Sequence, residues 1–369
     1  MRKTSEQQAL KRKTSRRKRR ITTEETSIDE GEEKNEKNNK KQVLIATCEK
    51  FAKATVKKQI SGLKEEFEAL RTFQPSDSST TFFQNNKNRN RYFDIPCLDK
   101  TRVVLKGSGS AENDYIHANH VTSELCRFRN KFICTQGPLD NTILDFWRMV
   151  VQENIRHIVM LCKLIELNKP KCAAYFPVNV GETKTFGNIS ITTIAEKTTS
   201  DNAKHFQTFE MLVSSGSTYE FKIQHYRCVD WPDFGVPESG LGVLRILREV
   251  RRDKNPAIIH CSAGVGRTGT LIAIECGVRT LLEKKDVKMP EIVKELRSQR
   301  AKSVQTEGQY IFIYRSLMEF VRSRKNMKEV EDFAKMYAEY FKESKLVTPQ
   351  GHPSEKNHPS AESVNPPNP

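Results

Sequence analysis

The segment Ala257 to Ile272, AIIHCSAGVGRTGTLI, constrains this chain more than any other. A short β-branched run ends at His260, glycines follow at 264, 266 and 269, and an apolar helical pattern begins near Thr268, which reads as strand, tight turn and helix. Two chemistries compete for that shape. The glycines spell a GxGxxG, but a dinucleotide-binding unit next needs a parallel strand ending in an acid about twenty residues on. Leu281 to Pro290, LLEKKDVKMP, is charged and lacks β-branched character, and Arg267 and Cys261 would crowd a pyrophosphate laid on bare backbone. The better reading is Cys-x5-Arg on an anion-binding turn. The amides of Ser262, Ala263, Gly264, Val265, Gly266 and Arg267 can curl into a nest, the helix N-terminus adds about half a positive charge, and Arg267 offers a fork to two phosphate oxygens. The same field stabilises a thiolate at Cys261, so nucleophile and phosphate cradle share one turn. Thr268 is placed to donate its hydroxyl to the sulfur and help it leave in a second step.

Around this segment the chain reads as one unit between polar tails. Residues 1 to 42 are almost free of apolar side chains and are expected to be disordered. Within them Lys11 to Arg20, KRKTSRRKRR, carries eight basic residues of ten and precedes an acidic stretch. It suits a nuclear import receptor, a lipid surface, RNA or another acidic partner, or a latch onto the acidic stretch; the plain alternative is a solvated tail. Apolar residues at steps of three or four begin at Val43 and mark a domain over residues 43–325. An amphipathic helix is expected over 326–347, and residues 348–369, with six prolines, form a second disordered tail. Strands are expected at Arg156 to Cys162, Ser190 to Ile194, Thr208 to Val213, Thr218 to His225 and Ala257 to His260. Helices are expected at Asn141 to Glu153, Leu241 to Arg252, Thr268 to Glu283, Glu291 to Arg297 and Tyr310 to Val321. The mixture points to an α/β or α+β domain, a sheet with helices on both faces.

Composition narrows the function classes. No run approaches the eighteen apolar residues of a membrane span, and residues 1–20 lack the apolar core of a secretory signal. The nine cysteines are odd in number and form no CxxC pair, which suits reduced, mostly buried thiols in cytosol or nucleus. His117 and His120 have no further ligand at metal spacing, so no metal or cofactor is expected. The net charge of +16 suggests an acidic partner such as nucleic acid, anionic lipid or phosphorylated protein.

His260 to Gly269, HCSAGVGRTG, resembles the signature loop of the tyrosine-specific protein phosphatases. Trp231 to Pro237, WPDFGVP, is similar to that family's mobile acid loop. Asn90 to Asp94 (NRYFD) resembles its phosphotyrosine-recognition loop, and Gln305 to Tyr310 (QTEGQY) its glutamine loop. Asp114 to Asn119 (DYIHAN) and Thr135 to Pro138 (TQGP) match further core motifs, in family order from about residue 60 to 322. The resemblance implies a highly twisted mixed sheet, a soluble non-receptor enzyme, no cofactor, and phosphotyrosine-containing proteins as substrates. It implies that Cys261 attacks phosphorus, Arg267 binds the phosphate, and Asp233 serves as general acid and then base. Gln305, helped by Gln309, would hold the attacking water. Tyr92 would line a deep pocket, and Asp94 would accept the substrate's backbone amides. Glu166, with Lys171 and Cys172 after it, would brace Arg267, while His260 would tune the thiolate without transferring a proton. Trp231 and Pro232 read as hinge and packing, and Trp147 as core. His117 stands where asparagine is usual, Phe93 where a polar residue is common and Lys302 where open-pocketed relatives often have glycine; Asp230 is more acidic than usual. Competing readings are a phosphotyrosine-binding pseudophosphatase, a dual-specificity or phosphoinositide phosphatase, and a basic RNA- or lipid-binding protein.

Overall fold

The computed structural model describes residues 38–106, 113–128, 132–216, 219–232 and 235–347. Both expected tails, but for residues 38–42, lie outside the described residues. Those five are already helical, so the first helix starts before Val43; its charged opening turns carry no apolar stripe to read.

The strands are β1 (Arg102–Val104), β2 (Tyr115–Val121), β3 (Phe132–Thr135), β4 (His157–Met160), β5 (Ile165–Glu166), β6 (Lys169–Pro170), β7 (Thr183–Phe186), β8 (Ile189–Glu196), β9 (Phe206–Ser215), β10 (Tyr219–Cys228) and β11 (Ala257–His260). The helices are α1 (residues 38–71), α2 (Thr81–Asn85), α3 (Ile143–Gln152), α4 (Leu241–Arg252), α5 (Gly266–Leu282), α6 (Met289–Arg297), α7 (Glu307–Arg322) and α8 (Lys328–Val347). Among the described residues nine strands form one mixed sheet in the order β1-β2-β3-β11-β4-β10-β9-β8-β7, and β5 pairs with β6 as a separate hairpin. The middle is parallel. β11 lies between β3 and β4, with Ile258 opposite Ile133 on one side and Ile158 on the other. β3, β4 and β11 are buried at every position, as parallel strands covered on both faces must be. The flanks are antiparallel, and β8 and β9 alternate towards the core and away from it.

β11 therefore delivers His260 and Cys261 at the carboxyl end of an inner parallel strand, the place where open α/β sheets hold ligands. The helix that follows it is held just as firmly. Residues 266 to 281 of α5 are all buried, against α4, α6 and α7, and its fully buried Glu275 is neutralised by Arg251 and Arg279. α1 packs on α7 through Phe51 on Tyr314 and Phe67 on Tyr310, and Glu66 accepts both tyrosine hydroxyls at 2.9 Å. α8 continues the same core rather than standing apart: Val330, Phe333 and Tyr337 are buried, and Tyr337 Oη donates to the Pro237 carbonyl at 3.1 Å. No helix among the described residues is long and apolar enough to cross a membrane.

Candidate active site

The turn after β11 is shaped by what holds its carbonyls. His260 Nδ1 lies 3.2 Å from the Cys261 carbonyl, and the Gly137 amide donates to Ser262 O at 2.9 Å. Arg300 donates through Nη2 to Ala263 O and through Nε to Gly264 O, both at 3.0 Å. Val265 O accepts from Gly269 and Val304 amides at 3.0 and 3.1 Å. All five carbonyls are pulled outward. In a trans peptide the N–H points opposite to its C=O, so the amides of residues 262 to 266 face the concave side, and that of Gly264 donates to Cys261 Sγ at 3.2 Å. Gly264 can do this because it has φ +71° and because a Cβ there would lie 2.1 Å from Thr135 O.

Arg267 is equally fixed. Its Nη1 and Nη2 donate to the two Glu166 oxygens at 2.7 and 2.8 Å, and Nη1 also reaches Leu161 O at 2.8 Å. Glu166 stands on the β5–β6 hairpin, whose turn places Leu167 and Asn168 at positive φ. Burial works against the guanidinium's charge, but the Glu166 hydrogen bonds and the nearby Cys261 outweigh it and hold the pKa above the usual arginine value. Lys171 contributes its backbone carbonyl, which accepts from Ser262 Oγ at 3.0 Å. With that proton committed, Tyr92 Oη donates to Ser262 Oγ at 2.9 Å and stands as a wall beside the turn. Asp94 is exposed at the rim and pairs with Lys302 Nζ at 3.1 Å, while Phe93 is 78% exposed beside it. Gln305 and Gln309 both lie against Gly266, where a Cβ would approach their amide atoms within 2.8 to 3.1 Å. Trp231 is buried edge-on to Phe312 and donates to Gly235 O at 3.1 Å. Asp233 lies outside the described residues.

The family model of the protein-tyrosine phosphatases matches residues 86–319. This chain belongs to that family. It is 38% identical over 268 residues to tyrosine-protein phosphatase 69D of Drosophila melanogaster, covering 70% of this chain and 18% of the relative. It is 33% identical over 300 residues to tyrosine-protein phosphatase non-receptor type 9 of Homo sapiens, covering 74% and 50%, and 37% identical over 265 residues to receptor-type tyrosine-protein phosphatase F of Rattus norvegicus, covering 70% and 14%. The matched part spans half or less of each of these phosphatases.

Two of the expected site residues also show bonding that the sequence reading did not foresee. The Thr268 hydroxyl is buried and has no hydrogen-bond partner among the described residues, while the Gly264 amide donates to Cys261 Sγ. Gln309 is first a helix cap. Its Oε1 accepts from the Gln305 and Thr306 amides at 2.8 and 3.3 Å, and its own amide donates to Thr306 Oγ1 at 3.2 Å, a capping box at the start of α7. The T-x-x-Q spacing could have given this. The residue that the sequence reading missed is Arg300, 1% exposed, which also donates to Asn119 Oδ1 at 2.8 Å and to His117 Nδ1 at 3.1 Å. His117 passes the connection on by donating Nε2–H to Ile95 O at 2.8 Å. Elsewhere burial pushes the thiols of Cys48 and Cys97 up to about 11 and those of Cys134 and Cys228 up to about 12, which leaves them inert. Cys126 differs: a hydrogen bond from Cys276 brings it down to about 7. No group of three or more potential metal ligands occurs among the described residues.

Proposed function

We propose that this chain hydrolyses phosphotyrosine in proteins through a cysteinyl-phosphate on Cys261. The observation that carries the reading is the outward bonding of the carbonyls of residues 261 to 265, which turns a ring of amides onto the sulfur and leaves Arg267, pinned by Glu166, to complete the cradle. The phosphate dianion enters that ring and Cys261 Sγ attacks phosphorus in line as the P–O bond to the phenol breaks. Asp233 gives its proton to the leaving oxygen. Water held by Gln305 then attacks the phosphocysteine, Asp233 takes its proton, and the thiolate leaves, with the unpaired Thr268 hydroxyl free to turn towards it. Arg267 and the amides follow the charge on the equatorial oxygens in both steps, so preorganised electrostatics carry most of the rate. The Tyr92 wall gives the pocket the depth that a phenyl phosphate fills and a phosphoserine does not. That depth favours this reading over a dual-specificity or phosphoinositide phosphatase. The reading includes action in cytoplasm or nucleus, with the basic run Lys11 to Arg20 meeting an acidic partner, lipid surface or import receptor. In the test, Cys261→Ser binds a phosphotyrosine peptide and releases no phosphate, and Asp233→Ala retains bound substrate; normal turnover by either overturns the assignment.

A further inference from the structure

Behind the turn a line of hydrogen bonds crosses the sheet from β10 to β11. Arg227 Nε lies 3.3 Å from His225 Nδ1, His225 Nε2 lies 2.7 Å from Tyr175 Oη, and Tyr175 Oη lies 2.7 Å from His260 Nε2, whose Nδ1 faces the Cys261 carbonyl. His225 and His260, on strands either side of β4, meet the same hydroxyl, and all three rings are fully buried. Arg227 is two residues beyond His225, hence on the same face of β10. It is half-buried, stacks between Phe176 and Phe209 with its guanidinium carbon 4.0 and 3.9 Å from their centroids, and donates to Pro177 O.

We infer that Arg227 is a positioning residue, which sets the proton order of this line and thereby holds the Cys261–Ser262 peptide with its amide turned into the pocket. An arginine N–H can only donate and a carbonyl can only accept. Starting at Arg227, His225 Nδ1 must accept. A neutral His225 then carries its proton on Nε2 and gives it to Tyr175 Oη, the tyrosine donates to His260 Nε2, and His260 keeps a proton on Nδ1 for the Cys261 carbonyl. Starting from the carbonyl and working back gives the same order, so the protons between the two ends close without a vacancy or a clash. Both imidazoles are neutral, since burial drives His225 well below the usual histidine range and His260 down to about 4. With Arg227 removed, Tyr175 is able to donate to His225 instead. His260 then turns its unprotonated Nδ1 to the carbonyl, and the outward hold on Cys261 O is lost.

The test reads tautomers directly. In the full chain labelled with 15N-histidine, long-range 1H–15N correlation should find His225 protonated on Nε2 and His260 on Nδ1. Finding His260 protonated on Nε2, or both rings in the same tautomer, overturns the proposal without need of any variant. Arg227→Met should mix the His260 tautomers and lower kcat on a phosphotyrosine peptide by about 5- to 30-fold, with KM within about twofold. Arg227→Lys, which keeps a donor that cannot accept, should recover most of both. Unchanged tautomers and kcat in the methionine variant overturn the role of Arg227; if that variant does not fold, the lysine variant decides, since mixed tautomers there overturn it too. The kinetic arm rests on the phosphatase reading and the spectroscopic arm does not, so opposed tautomers in a protein without turnover would sink the function and leave the proton order standing.

Discussion

Glu166→Gln should separate the stability of the Arg267 fork from its catalytic use. Glu166 Oε1 accepts from Arg267 Nη1 at 2.7 Å and from the Lys163 amide at 3.0 Å, and Oε2 accepts from Nη2 at 2.8 Å. The amide keeps one oxygen and turns an NH2 group on a guanidinium N–H. Each of the two side chains is only 7% exposed, so water does not replace what is lost. One charge-assisted bond contributes about 1.5–3 kcal/mol, and a cation stranded by the loss of its buried partner costs about 3–5 kcal/mol. The folded state should therefore lose about 3–5 kcal/mol in urea unfolding. Complete removal of a preorganised donor costs about 10²- to 10³-fold in kcat; Arg267 here stays charged but loses its alignment, so a loss of about 10- to 100-fold is expected. KM should hold or fall, because a cation released from its carboxylate offers more charge to the ground-state dianion, and inorganic phosphate should inhibit more strongly. Steady-state kinetics on one phosphotyrosine peptide, with the fold checked by circular dichroism, reads all three. Full stability with unchanged kcat, or a loss confined to a raised KM, would refute the reasoning.

Three other changes test other parts of the site. Burial, reinforced by the charge of Arg300, pushes His117 down to about 3. The unfolded chain, with histidine near 6.5, takes up the extra proton as pH falls. The corresponding stability is complete above pH 6.5 and drains towards pH 3, by about 2 kcal/mol between pH 6.5 and 5. His117→Asn should flatten the urea-derived unfolding free energy against pH by about that amount, and an unaltered slope counts against it. Gly264→Ala forces a Cβ to within 2.1 Å of Thr135 O unless the turn moves, so kcat should fall by about 100-fold or more; wild-type turnover contradicts the geometry. Lys302 has φ +62° and an exposed bridge to Asp94. Lys302→Gly should gain up to about 1 kcal/mol of stability, since left-handed strain outweighs a surface ion pair, and should lower KM for peptides but not for free phosphotyrosine. Equal effects on both substrates would argue against Asp94 as the acceptor of peptide amides.

Residues that cannot be exchanged without changing the chemistry were the legible part. Cys261, Arg267 and the glycines between them define an anion turn on their own, and β4, β8, β9, β10 and β11 follow from short β-branched or alternating runs. β2 did not read as a strand because His117, Asn119 and His120 interrupt its apolar run, whereas complete burial does not explain why β3 was missed, since β4 and β11 are as fully buried and were read. Arg300 gave no signal at all: an arginine inside LRSQRAKSV looks the same in sequence whether it reaches water or clasps two carbonyls. Thr268 is a different case: its place at the start of α5 follows from the sequence, but proximity along a helix start does not fix where a hydroxyl points. The line from Arg227 to His260 joins residues from three separate segments through a single tyrosine, and no spacing along the chain encodes it.

The central claim is a covalent phosphocysteine, and rapid chemical quench tests it most directly. A 32P-labelled phosphotyrosine substrate, mixed with excess enzyme and stopped within one turnover, should leave label on the tryptic peptide of residues 255–267, on Cys261, rising and decaying ahead of free phosphate and absent in Cys261→Ser. Phosphate released with no labelled protein at any time, or label surviving in the serine variant, would contradict the account.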